Sequence, residues 1–347
     1  MATARGHMVK TGFKKAVTIG TPVAVGAGDG LYILSESLKP DIPRIPDVSL
    51  GGSRQMLGAD ISGERYAGSV VLPGRYEGAW VRLLAMLLGT AGTPSGAGPY
   101  VHTFKPANDP SGLFGTLVFD KQIGANVVWE YDSVWVNAVT IRSEAGTGDA
   151  ARARFDVELI ARKLNRGSAT NGATQITALT FPTAGHLLHH NLKIRMNTNA
   201  GAGLGAPDEL KVRGLELTIR NHYKADFFIT GQSVIDSPEI EQHLEVTGRF
   251  MIDKYSADSP GLTEFLAGTY MKADVVWTTG ASAIVKAELP YLQLLTESGD
   301  RSAGGPGVIA APIAFQAFKP PSAPTGMTAT DALWLFLTNN FATDYLA

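Results

Sequence analysis

Between residues 152 and 162 apolar and polar side chains take turns. Ala153, Phe155, Val157, Leu159 and Ala161 are separated by Arg154, Asp156 and Glu158, and Ile160 is the single apolar residue on the polar side. A period of two predicts a half-buried strand with one wet face. The rhythm returns at 244–252, where Leu244, Val246, Gly248, Phe250 and Ile252 alternate with Glu245, Thr247, Arg249 and Met251. Further runs predict strands over 215–220, 284–289 and 309–318, the last with Ile309, Ala311, Ile313, Phe315 and Ala317 on one face. Helical spacing shows in two places. Over 77–88, Trp80, Leu83, Leu84, Leu87 and Leu88 form one apolar face, and Gly89 stands where a C-terminal cap belongs. Over 259–268, Ser259 reads as N-cap and Pro260 as first helical residue; Leu262, Phe265 and Leu266 form the expected buried side, and Gly268 the stop.

The two halves carry these signals in the same order. Residues 68–90 read as strand, helix and glycine stop, and 248–269 repeat them, Gly68 matching Gly248 and Leu88-Gly89-Thr90 matching Ala267-Gly268-Thr269. A hairpin-like pair follows each helix, 134–144 with 152–163 and 284–296 with 309–318. The chain therefore reads as mainly β, a tandem of one β-sandwich or barrel unit with a flanking α-helix. The expected organisation is a Gly-rich N-terminal arm (1–30), a first unit (31–166), a second unit (176–320) and a C-terminal segment (321–347). Inside the first unit Pro40, Pro43, Pro46, Gly58 and Gly63 predict a long loop over 38–63 that cannot be a central strand. A loop of that length in a compact domain serves function or an interface.

Composition narrows the function classes. With 347 residues and 44% apolar content the chain can build sizeable cores. Thirty basic and 32 acidic residues leave a net charge of -2, which excludes bulk attraction to nucleic acid or to an anionic membrane. The absence of cysteine excludes disulfides, thiolate metal ligands and cysteine nucleophiles. Charged residues make only 18%, below the usual quarter, which suits a surface largely covered by other subunits. No apolar stretch reaches the roughly 18 residues that span a bilayer. Arg5, Lys10, Lys14 and Lys15 before the apolar stretch 16–27 imitate a signal peptide, but Thr18, Gly20, Thr21 and Pro22 interrupt its core. Gly6-His7-Met8 has the composition of a cloning scar.

Candidate chemistry is sparse. Gly201-Ala-Gly203-Leu-Gly205 follows an apolar run, but a phosphate-binding glycine loop needs a helix next, and 210–220 reads as a strand. His186, His189 and His190 converge poorly on one ion if the segment is extended. Asp253 with Asp258, and Glu239 with Glu241, read as solvated or capping carboxylates rather than an acid–base pair. No nucleophile elbow, Walker loop or zinc-protease motif occurs. Lys10, Lys14 and Lys15 form the one basic cluster, with only Phe13 as an aromatic neighbour, and read as a solvated arm. The sequence thus offers no catalytic, cofactor-binding or metal-binding residue and no cofactor.

The loop at 37–63, the strand-then-helix at 68–89, the Gly-Pro-Tyr-Val-His-Thr-Phe stretch at 98–104 and the paired long strands at 134–163 together resemble the tail tube proteins of siphophages, in particular members with two tube domains in one chain. The resemblance implies a structural subunit, not an enzyme, located in the tail tube of the virion. Six domain copies would surround a DNA channel, so three chains would complete a pseudo-sixfold ring. Stacking would use 3–30, 38–63 and the apolar run 333–336. The implied partners are further copies of the chain, the tape measure, tail terminator and distal tail proteins, and DNA in transit, with no membrane. A wall biased toward Asp and Glu would let DNA slide. Three other readings compete: a tail terminator or distal tail ring component, separated by failure to form long tubes; a secreted β-sandwich binding module, separated by a cleaved N-terminus; and a β-rich enzyme, which lacks a catalytic constellation.

Overall fold

The computed structural model describes residues 6–48, 55, 58–90, 94–121, 127–226, 231–252, 260–299 and 311–347. The first half contains β1 (Lys10–Ala16), β2 (Ser35–Glu36), β3 (Lys39–Asp41), β4 (Arg44–Pro46), β5 (Ala59–Ile61), β6 (Arg65–Pro73), α1 (Trp80–Leu88), β7 (Tyr100–Phe104), β8 (Phe114–Asp120), β9 (Val128–Glu144) and β10 (Arg154–Arg166). The second contains α2 (Ala173–Ala178), β11 (Leu192–Thr198), β12 (Glu209–Leu210), β13 (Gly214–Arg220), β14 (Tyr223–Lys224), β15 (Glu239–Ile240), β16 (Glu245–Ile252), α3 (Leu262–Ala267), β17 (Met271–Gly280), β18 (Ala283–Leu294), β19 (Ala311–Ala317) and β20 (Trp334–Asn339).

Both halves arrange their strands alike. The first runs β1-β8-β9-β10-β6-β2, with β3 continuing β2 along the same edge of β6; the second runs β11-β17-β18-β19-β16-β13. In each, a helix follows the strand next to the end of the row, and a two-stranded ribbon, β4 with β5 or β14 with β15, rises just before that strand. The halves join through β9, a strand of 17 residues. Its length lets one edge carry β10 while the other takes β8 at its start and β13 at its end. Asn137 is the extra residue of a bulge there: its Oδ1 accepts the Tyr223 N–H at 2.8 Å, its Nδ2 donates to Glu158 at 2.9 Å, and its carbonyl accepts the Asn221 N–H at 2.8 Å. A bulge re-aims the strand where the two halves meet.

One core serves both halves. Leu84, Val139, Ile141, Phe155, Leu217, Trp277 and Leu335 belong to a single buried cluster. α1 buries every residue except Arg82, because it lies over β9 and β7 with Trp80 against Phe155 at 4.5 Å between ring centroids. Arg82 instead meets the buried Asp29 carboxylate and donates to the Phe13 carbonyl at 3.1 Å. Gly68 and Gly248 are among the glycines where space is tight. A side chain at Gly68 would strike the Ser37 carbonyl at 2.5 Å, and one at Gly248 would enter the Phe315 ring at 2.3 Å.

Several expectations change. Residues 10–16 of the expected arm form β1, with Phe13 fully buried, because β8 takes one edge and backbone bonds with Asp29 and Leu31 satisfy part of the other. The expected loop 38–63 contains β3, β4 and β5. The first helix starts at Trp80 rather than residue 77, since Gly78 at φ 122° lies outside helical space. Residues 176–188, expected with the second unit, pack on the first: Ile176 and Leu179 join Val25, Val118 and Val128, and Leu187 exchanges backbone bonds with Gly74 and Ala153. β18 pairs with β19 only over 292–294, because β20 occupies 284–288 of that edge. Leu266 of α3, expected to be buried, is 75% exposed. Ser259, Asp253, Asp258 and Ile309 lie outside the described residues.

Candidate assembly surfaces

A polar sheet face crosses the seam between the halves. On β10, β9, β13 and β16 the side chains opposite the core are Arg154, Asp156 and Glu158, then Thr140 and Arg142, then Glu216, Thr218 and Arg220, then Glu245, Thr247 and Arg249. Cross-strand bonds knit them together. Arg142 donates to Glu216 at 3.0 Å and lies 3.6 Å from Asp156, Thr140 and Thr218 hydroxyls meet at 3.0 Å, and Arg220 donates to Glu158 at 3.2 Å. Arg154 pairs with Asp149 at 2.9 Å. The face carries four arginines and four carboxylates and is charge-balanced, with Arg142, Arg154 and Arg220 held in ion pairs.

This row has an open edge. Ser35↔Val71 and Asp41↔Arg65 pair β2 and β3 with β6. Gly214↔Met251 and Arg220↔Glu245 pair β13 with β16 in the same way, the terminal ion-forming residues exchanged in sign. The far edge of β13 is taken by β9, whereas among the described residues no strand takes the far edge of β2 and β3.

Beside it stands the ribbon of β4 and β5, every residue of which is exposed, with Ile45 and Ile61 at 58% and 56% and Val48, just past β4, at 74%. An isolated two-stranded ribbon is marginal in water, and apolar side chains on one call for a neighbour.

The apolar run 333–336, by contrast, is spent inside the chain. It lies in and beside β20, which runs between β18 and β7 and so ties the second half to the first. Two buried charges secure the approach to this strand. Lys272 donates to the Gly201 and Thr325 carbonyls at 2.8 and 3.0 Å, and burial pulls its ammonium below the usual range. Burial pushes the Glu288 carboxyl up, but Lys286 and the Thr328 and Ala329 amides outweigh this and hold it below the usual range. Asp132 is the opposite case: burial outweighs Arg162 at 3.7 Å, its carboxyl is raised, and its Oδ1 is unpartnered.

The residues weighed for chemistry do not come together. The glycine loop 201–205 leads to β12 and turns carbonyls toward cations, Gly201 to Lys272 and Leu204 to Arg195, the reverse of an anion cradle. His189 bonds Ser143 and the Val212 carbonyl, while His186 bridges to Arg75 and His190 sits in a single turn. Glu239 lies on β15 and Glu241 meets Lys224 at 3.4 Å. Of the basic cluster, Lys14 bonds the Ala24 carbonyl and Lys15 the Leu346 carbonyl, so both hold the chain's own ends. The open strand edge was missed in the sequence because Pro40 and the flanking glycines disguise β2 and β3 as loop. Among the described residues no helix is long and apolar enough to cross a membrane.

Curated proteins give no match to the sequence. A family profile described as phage tail tube protein matches residues 6–317. This β-rich chain, with its charge-balanced sheet face, open strand edge and exposed ribbon, belongs to the phage tail tube protein family and is a structural component of the virion tail.

Proposed function

We propose that the chain is a duplicated tube unit, that three copies close into a pseudo-sixfold ring, and that stacked rings form the channel through which a long-tailed phage ejects DNA. The continuous sheet that crosses from one half to the other carries this reading. Its rows β18-β19-β16-β13 and β9-β10-β6-β2 have equivalent orders, so the seam inside one chain is a template for the seam between chains. Closing the edge of β2 and β3 on a neighbour satisfies backbone groups that otherwise template aggregation. Eight strands from each of three chains, about 4.8 Å apart and tilted by about 40°, close a barrel roughly 50 Å across. Side chains on its inner face leave room for a DNA duplex.

The polar face is the channel wall in this reading. The face is balanced where the sequence led us to expect an acidic wall, and low adhesion would come from holding Arg142, Arg154 and Arg220 in pairs with carboxylates. An arginine held by a carboxylate does not release counterions from DNA. The exposed ribbon of β4 and β5 stacks one ring on the next, and the chain acts by assembling, without catalysis. Electron microscopy of the purified protein tests this: hollow tubes with threefold or pseudo-sixfold end views are expected, and a monodisperse single chain at every concentration overturns it.

A further inference from the structure

The two helices that follow the matching strands end alike but live differently. α1 closes with Leu87-Leu88-Gly89 and α3 with Leu266-Ala267-Gly268, and both terminal glycines are left-handed, at φ 85° and 63°. Leu87 therefore corresponds to Leu266. Leu87 is fully buried, and its carbonyl accepts the Asn221 Nδ2–H at 2.8 Å. Asn221 is the residue after β13, the strand of the second half whose edge β9 takes. Leu266 is 75% exposed.

The strand corresponding to β13 is the row of β2 and β3, by the pairing of each with its neighbour: Ser35 stands opposite Val71 as Gly214 stands opposite Met251, and Asp41 opposite Arg65 as Arg220 opposite Glu245. Ile42 thus corresponds to Asn221. One interface is built twice in this sequence. Its first instance, Leu87 against Asn221, is completed inside the chain. Its second is split between the two ends, with the helix half at Leu266 and the strand half at residues 35–42.

We infer that the exposed face of α3 around Leu266 receives the segment of a second copy that runs along β2 and β3 to Ile42, so that the contact between chains repeats the contact between the halves of one chain. This rests on the ring reading above. Complementary halves at opposite ends make a heterologous interface, which forms a ring only when the rotation closes. The rotation relating the halves within the chain is the one that the ring repeats. The capping donor differs, since Ile42 has no side-chain amide, so the contact between chains relies on apolar burial of Leu266 against Ile42 where the internal one uses a hydrogen bond.

The chain's lack of cysteine makes the test clean. A chain carrying Ile42→Cys and Leu266→Cys, treated with a short bis-maleimide, is expected to give covalent species of two and three chains and none larger, while each single variant stays uncrosslinked. Leu266→Asp is expected to keep the thermal unfolding of the single chain, because the side chain is exposed there, and to lose rings and tubes. Absence of the crosslink in a preparation whose tubes are visible by electron microscopy overturns the inference and leaves the tube reading standing. Absence of tubes from the unsubstituted chain sinks the tube reading itself.

Discussion

The Arg220 guanidinium on β13 donates to the Glu158 carboxylate on β10 at 3.2 Å, reaching across β9, which lies between them. Both side chains are over 40% exposed, so the pair adds at most about 1 kcal/mol to stability. In the proposed channel wall its value lies in what it keeps from DNA. A chain with Glu158→Gln and Glu216→Gln frees Arg220 and weakens the hold on Arg142, and is expected to unfold within about 1 kcal/mol of the parent in urea. Tubes assembled from it are expected to retain DNA at low salt, with the logarithmic salt slope steeper by about one for each freed arginine. Filter-binding with assembled tubes across a salt series checks this; unchanged retention would mean that the face does not meet DNA.

Asp132 places a carboxylate with an unpartnered oxygen under the N-terminal stretch that Ser133 and Thr116 pin at the Gly20 and Val23 amides. Burial raises its native value above that of the unfolded chain. An acid so raised binds its proton more readily when folded, so stability rises as pH falls through the native value, and the gain is complete below about pH 3.9. Asp132→Asn is therefore expected to stabilise the chain at pH 7 by about 1 kcal/mol, the order of cost of an unpaired buried polar atom, and to lose that advantage in acid. Thermal melts at pH 7 and pH 4 measure it.

Glu288 carries the opposite sign. Its native value is lowered, so its contribution is present above the ordinary glutamate value and is lost as pH falls below about 4.3. Glu288→Gln removes the charge from bonds to Lys286 and to the Thr328 and Ala329 amides and is expected to cost about 2 kcal/mol at pH 7. The loss should appear first as hydrogen exchange in β20, the strand this carboxylate helps to seat, before the rest of the sheet opens.

The strands and both main helices were legible because period two and period 3.6 survive in the sequence wherever one face meets the core, as at Phe155, Val157 and Leu159. What failed depends on the partner. Ile160 broke the pattern because its face of β10 is covered by Tyr223, Ala225 and Ile235 from the second half together with Trp135, and no local rule announces a partner 60 residues away. Leu266 fitted a helical face but faces solvent, because α3 is only six residues long and buries none of them fully, and helical spacing does not state whether a core lies beneath that face. The apolar run 333–336 was visible as a sticky element, yet a strand sequence does not state which edge it joins, and the free length of β18 beside β7 decides that. The open edge of β2 and β3 and the ribbon of β4 and β5 were legible only as a loop, because edge strands are short, proline-bearing and polar by the same logic that keeps them from aggregating.

Gly248 lies on β16 beside β19, and the Phe315 ring packs across it onto Phe250 at 4.8 Å between centroids. A Cβ there would sit 2.3 Å from the Phe315 Cζ and 2.8 Å from Cε2, well inside contact distance. Both rings are fully buried, so Phe315 has no open side to swing into, and β19 must move away from β16 to admit the methyl group. Overpacking of this kind costs about 1–3 kcal/mol. Gly248→Ala is thus expected to lower the urea midpoint, while Gly248→Ala with Phe315→Leu recovers part of the loss by removing the ring that the methyl strikes. The two changes are coupled through one volume, so their effects should not add. A double variant as unstable as the sum of the two single changes would show that the glycine serves the backbone of β16 and not the space above it.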